Sequence, residues 1–219
     1  MTALPRITTF GWVPEFARGF VRDLRPRWAL EEEGQPYEVV LIRDAKTALH
    51  RRLQPFGQVP VYCDADIEIF ESGAMVLHIA ERGRALLPED ANGRMRAIQW
   101  LVSALNTVEP AVMALIGNDV FEADRAWSRA RRPVVLSALG QRLRDLEARL
   151  GNGPWLEGRV FTAGDLMMVS VLGGLRNTDV LDEFPGLAAY VARGEARPAH
   201  RKAMADHMAV FGEAAGAGR

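Results

Sequence analysis

What the chain lacks narrows its class first. One cysteine, Cys63, stands among 219 residues, so an intrachain disulfide is excluded and a reducing compartment is expected. Neither sign of charge prevails: 27 Lys and Arg face 28 Asp and Glu, for a net charge of −1. A polyanion partner is therefore not implied, and no nucleic acid is expected. The one basic cluster, RAWSRARR (Arg125 to Arg132), has helical spacing and reads as a solvated helix face. No stretch reaches ~18 consecutive apolar residues, so no membrane span is expected. MTALPRITTF has no charged start followed by a long apolar run, which argues against a secretory signal and for a cytoplasmic protein. His50, His78, His200 and His207 show no metal-ligand spacing, so no metal is expected. No internal repeat and no low-complexity tract are present.

The chain has ample material for a core, with 48% hydrophobic residues. ITTF (7–10), YEVVLI (37–42), VPVYC (59–63) and IEIF (67–70) are β-prone runs. WALEEEG and AMVLHIAERG carry helical spacing. Parallel pairing early and a hairpin late predict a small mixed sheet with helices against it. LLPEDANG (86–93) reads as a linker, and the chain beyond it is helical in pattern, at about 92–117, 122–150, 163–176, 185–195 and 198–211. GEAAGAGR (212–219) reads as a frayed tail. Pro26 either opens the first helix or kinks it.

Two short segments carry chemistry. In Gly57-Gln58-Val59-Pro60, an X-Pro bond is the common place for a cis peptide. If Val59–Pro60 is cis, the Val59 backbone faces outward and can pair with an extended peptide; otherwise the segment is a plain turn into a strand. Phe70-Glu71-Ser72-Gly73 opens a helix, with Ser72 expected to cap it at its N-terminus. A helix start attracts a carboxylate, and Glu71 beside it can hold an ammonium, so the pair suits an α-amino acid head group. The alternative is a simple cap with a solvated acid.

RWALEEEGQPYEVV, LQPFGQVPVY and FESGAMVLHIAERG together resemble the N-terminal thioredoxin-like domain of cytosolic glutathione transferases. WLEGRVFTAGDLMMVSVL and FPGLAAYVARGEARPAHRKA resemble that family's helical domain, with Thr162-Ala163-Gly164-Asp165 as the capping box of a buried helix. The resemblance implies an α/β domain at 1–84, binding glutathione, and an all-α domain at 92–219. It implies a cis Val59–Pro60 bond, pairing of the Val59 backbone with the cysteinyl unit, and Glu71 and Ser72 at the γ-glutamyl end. Gln58 takes the place of a side chain that reaches the glycyl end. Thr162 and Asp165 are structural. Glutathione is implied as co-substrate, an apolar electrophile as the other substrate, and a homodimer as the assembly. Asn106 and Glu109 are weak candidates for the electrophile pocket.

The chain then departs from the family. The expected Tyr, Ser or Cys near the end of the first strand is missing from Ile7 to Asp23, apart from the threonines of the strand. Counted back from Arg27, the expected hydroxyl falls around Gly19 to Val21, in a loop longer than usual. Thr9 lies within the strand and is expected to face the sheet. Trp12 through its indole N–H, Arg18 or Arg22 through charge, or a backbone N–H remain as candidate thiol activators. Trp12 is also a candidate wall of the electrophile pocket. Cys63, inside a strand, reads as a small buried hydrophobe. The chain resembles a bacterial-type member of the family, either a transferase or a weakly active glutathione-binding protein of the same fold.

Overall fold

In a computed structural model the described residues are 4–216. They form two compact units, one running to Leu87 and resuming at Ala196, the other from Pro88 to Glu195. The α9 helix, Pro198–Gly216, therefore groups with the first unit rather than with the helices before it.

The first unit is built on β1 (Arg6–Phe10), α1 (Leu24–Glu32), β2 (Glu38–Ile42), α2 (Ala48–Leu53), β3 (Val61–Cys63), β4 (Glu68–Phe70) and α3 (Ser72–Arg82). The sheet order is β2-β1-β3-β4. β1 and β2 run parallel with Ile7 opposite Val39, while β3 is antiparallel to both β1 and β4. This is the mixed sheet with helices expected from the sequence. Its core contains Ile7, Trp28, Leu30, Tyr62, Met75 and Ile79, each at most 2% exposed. Burial of side chains this large contributes roughly 1.5–3 kcal/mol apiece. Pro26 stands in the first turn of α1, where its missing N–H has no intrahelical partner to lose. That settles the two readings of Pro26 in favour of a helix start.

α9 packs on α1. Arg197 donates to both Glu32 oxygens at 2.6 and 2.7 Å, and the His200 ring meets Trp28 edge-on at 4.6 Å. The helix continues past the expected end at 211 because Gly212–Gly216 includes good helix formers such as Ala214 and Ala215. The last three residues of the expected tail lie outside the described residues.

The second unit holds α4 (Ala91–Ser103), α5 (Glu109–Ile116), α6 (Ser128–Leu150), α7 (Ala163–Leu172) and α8 (Pro185–Glu195). The helix expected over 92–117 is not uniform. At Ala104–Val108 the turns widen, with the Glu109 N–H reaching the Ala104 carbonyl five residues back. Pro110 explains the change: it has no N–H for the Asn106 carbonyl, so the helix opens just ahead of it. A second wide turn covers Gly117–Phe121. By length and composition, the run Ala91–Phe121 would suffice to cross a bilayer. Here Ala97, Leu101, Ala104, Val108, Val112 and Leu115 turn a buried stripe inward, at the three- and four-residue steps of one helix face.

α6 starts at Ser128, later than the expected 122, because Glu122 to Ser128 is spent in tight turns. Its basic cluster is exposed or paired, with Arg131 on Glu122 and Arg132 on Asp119. α7 is buried on nearly every side. A methyl group added to Gly164 would sit 2.6 Å from Trp100 Cβ and 2.8 Å from the Ala97 carbonyl, so glycine is what lets α7 approach α4. Glu147 accepts the Gly186 and Leu187 N–H groups and satisfies the start of α8.

Candidate functional site

The Gln58-Val59-Pro60 segment is held by α2. Thr47 caps that helix, its hydroxyl accepting the His50 N–H at 3.2 Å. One turn apart on the same face, His50 and Gln54 are both buried. His50 Nε2–H donates to the Gln58 carbonyl at 2.6 Å, and Gln54 Oε1 accepts the Gln58 N–H at 3.0 Å. Gly57, at φ 63°, makes the turn into this grip. The Val59–Pro60 peptide is cis. Just beyond it the Val61 N–H donates to Thr8 Oγ1 at 2.8 Å, tying the turn to β1.

The start of α3 lies beside that turn. Val61 pairs with Phe70, so one step outward along this antiparallel register Pro60 falls beside Glu71. Ser72 is not the N-cap but the first residue of α3; Glu71 is the capping residue. The Ser72 hydroxyl accepts from Arg25 Nη1 at 3.1 Å instead of from its own helix. Glu71 has φ 72°, the one positive φ among the described non-glycine residues. Such a conformation costs about 1–3 kcal/mol and is kept where the surroundings impose it. Its side chain is exposed and its carbonyl accepts the Met75 N–H at 3.0 Å. The result is a helix N-terminus whose first hydroxyl is bonded to a guanidinium and whose capping position carries an exposed glutamate. That arrangement suits a ligand bearing both a carboxylate and an ammonium.

In the loop between β1 and α1, Trp12 is 68% exposed. Arg18 lays its guanidinium over the Phe211 ring at 6.0 Å, and Arg22 is half-buried. Gly19, at φ 79°, donates its N–H to His207 Nε2 of α9 at 3.3 Å. His207 Nδ1 lies 3.3 Å from Asp23 Oδ2, which Arg27 Nε also meets at 2.8 Å. Asp23, Arg27 and His207 are fully buried. Thr9 is fully buried too, its hydroxyl without a partner among the described residues. Cys63 is half-buried, with Arg6 Nη2 3.7 Å from its sulfur.

In the second unit Asn106 is exposed and Glu109 half-buried. Asp165 is fully buried; its carboxylate accepts the Leu156 and Thr162 N–H groups, the Thr162 hydroxyl and the Tyr190 hydroxyl, all within 3.0 Å. Burial pushes this carboxyl up, against the pull of those four donors. No cluster of three or more His, Cys, Asp or Glu suited to a metal occurs among the described residues.

Sequence reasoning passed over Arg25, His50, Gln54 and His207. The spacing of His50, Gln54 and Gln58, four residues apart each time, was the available signal for the grip on the turn. Arg25 and His207 carry no local signal, since both partners lie far along the chain.

The chain matches the models of the glutathione S-transferase N-terminal domain over residues 16–81 and of its C-terminal domain over residues 112–202. It is 30% identical over 192 residues to glutathione S-transferase F14 of Arabidopsis thaliana, spanning 80% of this chain and 76% of that one. With glutathione S-transferase 4 of Zea mays the identity is 27% over 215 residues, 91% and 92% of the two chains. A solved glutathione transferase of Burkholderia graminis, with two glutathione molecules bound per subunit, has the same fold. It matches at a TM-score of 0.81 and 24% identity, over 92% of this chain and 87% of that one. With both domain signatures in chain order and a relative of this identity spanning most of it, the chain belongs to the glutathione S-transferase family.

Proposed function

We propose that the protein binds glutathione in its first unit and conjugates it to an apolar electrophile, in a reaction of the detoxifying kind. The observation that carries the reading is the adjacency of the Val59–Pro60 turn and the Glu71-Ser72 helix start. The Val59 backbone pairs with the cysteinyl unit as an added strand would. The γ-glutamyl carboxylate takes the Ser72 hydroxyl and the α3 N-terminus, and its ammonium takes Glu71. Gln58 reaches toward the glycyl end. Bound this way, the thiol loses its proton to solvent and the thiolate attacks carbon. A C–S bond forms, and either a leaving group departs with its electron pair or the adduct takes up a proton. Fixing the thiol beside its target contributes through proximity. Trp12, Arg18 and Arg22 remain the candidates to stabilise the thiolate.

A second reading, a glutathione-binding protein with little turnover, is favoured by one feature. The Gly19–Val21 segment brings no hydroxyl, and the Gly19 N–H is already given to His207. Calorimetric titration with glutathione, the ultraviolet absorbance of bound thiolate and turnover of a reactive aryl halide separate the two. Binding with neither thiolate nor turnover contradicts the transferase reading. We further infer a cytoplasmic homodimer, supported by the exposed apolar residues Met95, Val102 and Met113 along Ala91–Phe121. Neither nucleic acid, metal nor membrane has a part in the proposed reaction.

A further inference from the structure

We propose that Arg18 sets the class of the second substrate: its guanidinium receives an anionic group, so the preferred electrophile is an apolar molecule carrying a carboxylate rather than a neutral one. For the reaction the proposal rests on the transferase function argued above; the anion site itself does not.

Other guanidinium groups of the first unit each meet an oxygen. Arg25 donates to Ser72 Oγ at 3.1 Å, Arg27 meets Asp23 Oδ2 at 2.8 Å, and Arg197 takes both Glu32 oxygens at 2.6 and 2.7 Å. Arg18 differs. It is half-buried, its guanidinium lies over the Phe211 ring at 6.0 Å, and its buried Nε has no hydrogen-bond partner among the described residues. Glu15, three residues back, accepts the Arg18 backbone N–H through its carbonyl at 3.1 Å and makes no ion pair with the guanidinium. The next acid along the chain, Asp23, is already shared by Arg27 and His207.

Stacking on a ring occupies the flat face of a guanidinium and leaves its edge for hydrogen bonds. On that edge Nε–H and an Nη–H form a two-pronged donor that matches the two oxygens of a carboxylate. A thiolate is a single acceptor and engages one prong. A cation partly withdrawn from water and without a counter-charge gains more from an arriving anion than a fully solvated one does. Apolar surface for the rest of the molecule lies on the same two elements: Trp12 and Phe16 of the loop are 68% and 48% exposed, and Met208 of α9, one turn before Phe211, is 41% exposed. Phe211, which fixes the guanidinium, belongs to α9, whereas the grips assigned to glutathione come from the Val59–Pro60 turn and α3. The anion is therefore assigned to the electrophile. Its carboxylate takes no part in the bonds made or broken; Gly19, next to Arg18, lies where the family's thiol-activating hydroxyl is expected, so the anchor stands close to the reacting sulfur.

The test compares a chlorodinitrobenzoate with its neutral carboxamide. In each the thiolate forms a C–S bond and chloride leaves with its electron pair. The kcat/KM of each is divided by its uncatalysed rate with glutathione, and the ratio of acid to amide is read. The wild type is expected to favour the acid about tenfold, as a charge-assisted hydrogen bond at a partly exposed group allows. In Arg18→Gln the ratio is expected to fall to about one. Arg18→Lys keeps the charge but not the fork and is expected to lie between. A wild-type ratio near one overturns the proposal. So does an Arg18→Gln ratio like that of the wild type, including the case where both substrates slow alike, which places Arg18 on the thiolate. Calorimetric titration of the glutathione-free chain with unreactive dinitrobenzoate and dinitrobenzamide keeps the two claims apart. A preference for the acid that Arg18→Gln abolishes, with no turnover of either chloro compound, defeats the transferase reading and upholds the anion site. Turnover of both with no such preference defeats this proposal and leaves the transferase reading standing.

Discussion

Arg25 Nη1 donates to Ser72 Oγ at 3.1 Å, and both side chains are buried. The bond aims the hydroxyl and sets a guanidinium behind the N-terminus of α3. A carboxylate arriving there meets a hydroxyl already oriented and a helix end of the right sign. Ser72→Ala is expected to weaken glutathione binding about tenfold, a charge-assisted hydrogen bond being worth roughly 1.5–3 kcal/mol. Calorimetry on the folded variant decides it, and an unchanged dissociation constant contradicts the assignment.

His50 and Gln54 between them take both backbone groups of Gln58. His50→Ala leaves the Gln58 carbonyl without its donor and loosens the segment that presents Val59. A stability loss of about 1–2 kcal/mol is expected, with KM for glutathione rising and kcat nearly unchanged. A kcat loss with constant KM would place His50 at the reacting sulfur instead.

Much of the fold was legible because it is written locally. The β-prone runs pointed to the hairpin, and the helical spacing of the apolar residues to the helices. The misreadings also have local causes. A single helix over 92–117 missed what Pro110 does to the turn ahead of it. Ser72 looked like a cap because serine is a good one; tertiary contact with Arg25 gave its hydroxyl a different partner. The candidate segments at Gln58–Pro60 and Glu71–Ser72 stood out through proline and helix-start chemistry. Arg25 and His207 did not, because their roles come from residues brought together only by folding.

Asp64 ties the β3–β4 hairpin to α3. Its carboxylate accepts from the Tyr62 hydroxyl and lies 2.9 Å from His78 Nε2, and its other oxygen accepts the Asp66 and Ile67 N–H groups. Burial pushes the carboxyl up, but the bonds from His78, Asp66, Tyr62 and Ile67 outweigh it and hold it at about 2. The folded value lies below the ordinary 3.8, so the contribution to stability is complete above that pH and fades as pH falls toward about 2. Asp64→Asn is expected to remove about 1–2 kcal/mol at neutral pH and to flatten the loss of stability between about pH 4 and 2. Urea unfolding across that range is the check; parallel acid limbs in the two proteins refute it.

Gly164 permits the close approach of α7 to α4. Gly164→Ala forces a methyl group into backbone and Trp100, an overpacking that costs about 1–3 kcal/mol. In a chain of this size the melting temperature is expected to fall by roughly 2–4 °C per kcal/mol. An unchanged or higher melting temperature would show that the two helices separate without penalty.

Titration of the wild-type chain with glutathione, beside Glu71→Gln, tests the central claim most directly. The account predicts saturable binding of one glutathione per chain in the wild type, weakened severalfold in Glu71→Gln because the ammonium loses its partner. Heat no different from buffer in the wild type, at glutathione concentrations in the millimolar range, would contradict it.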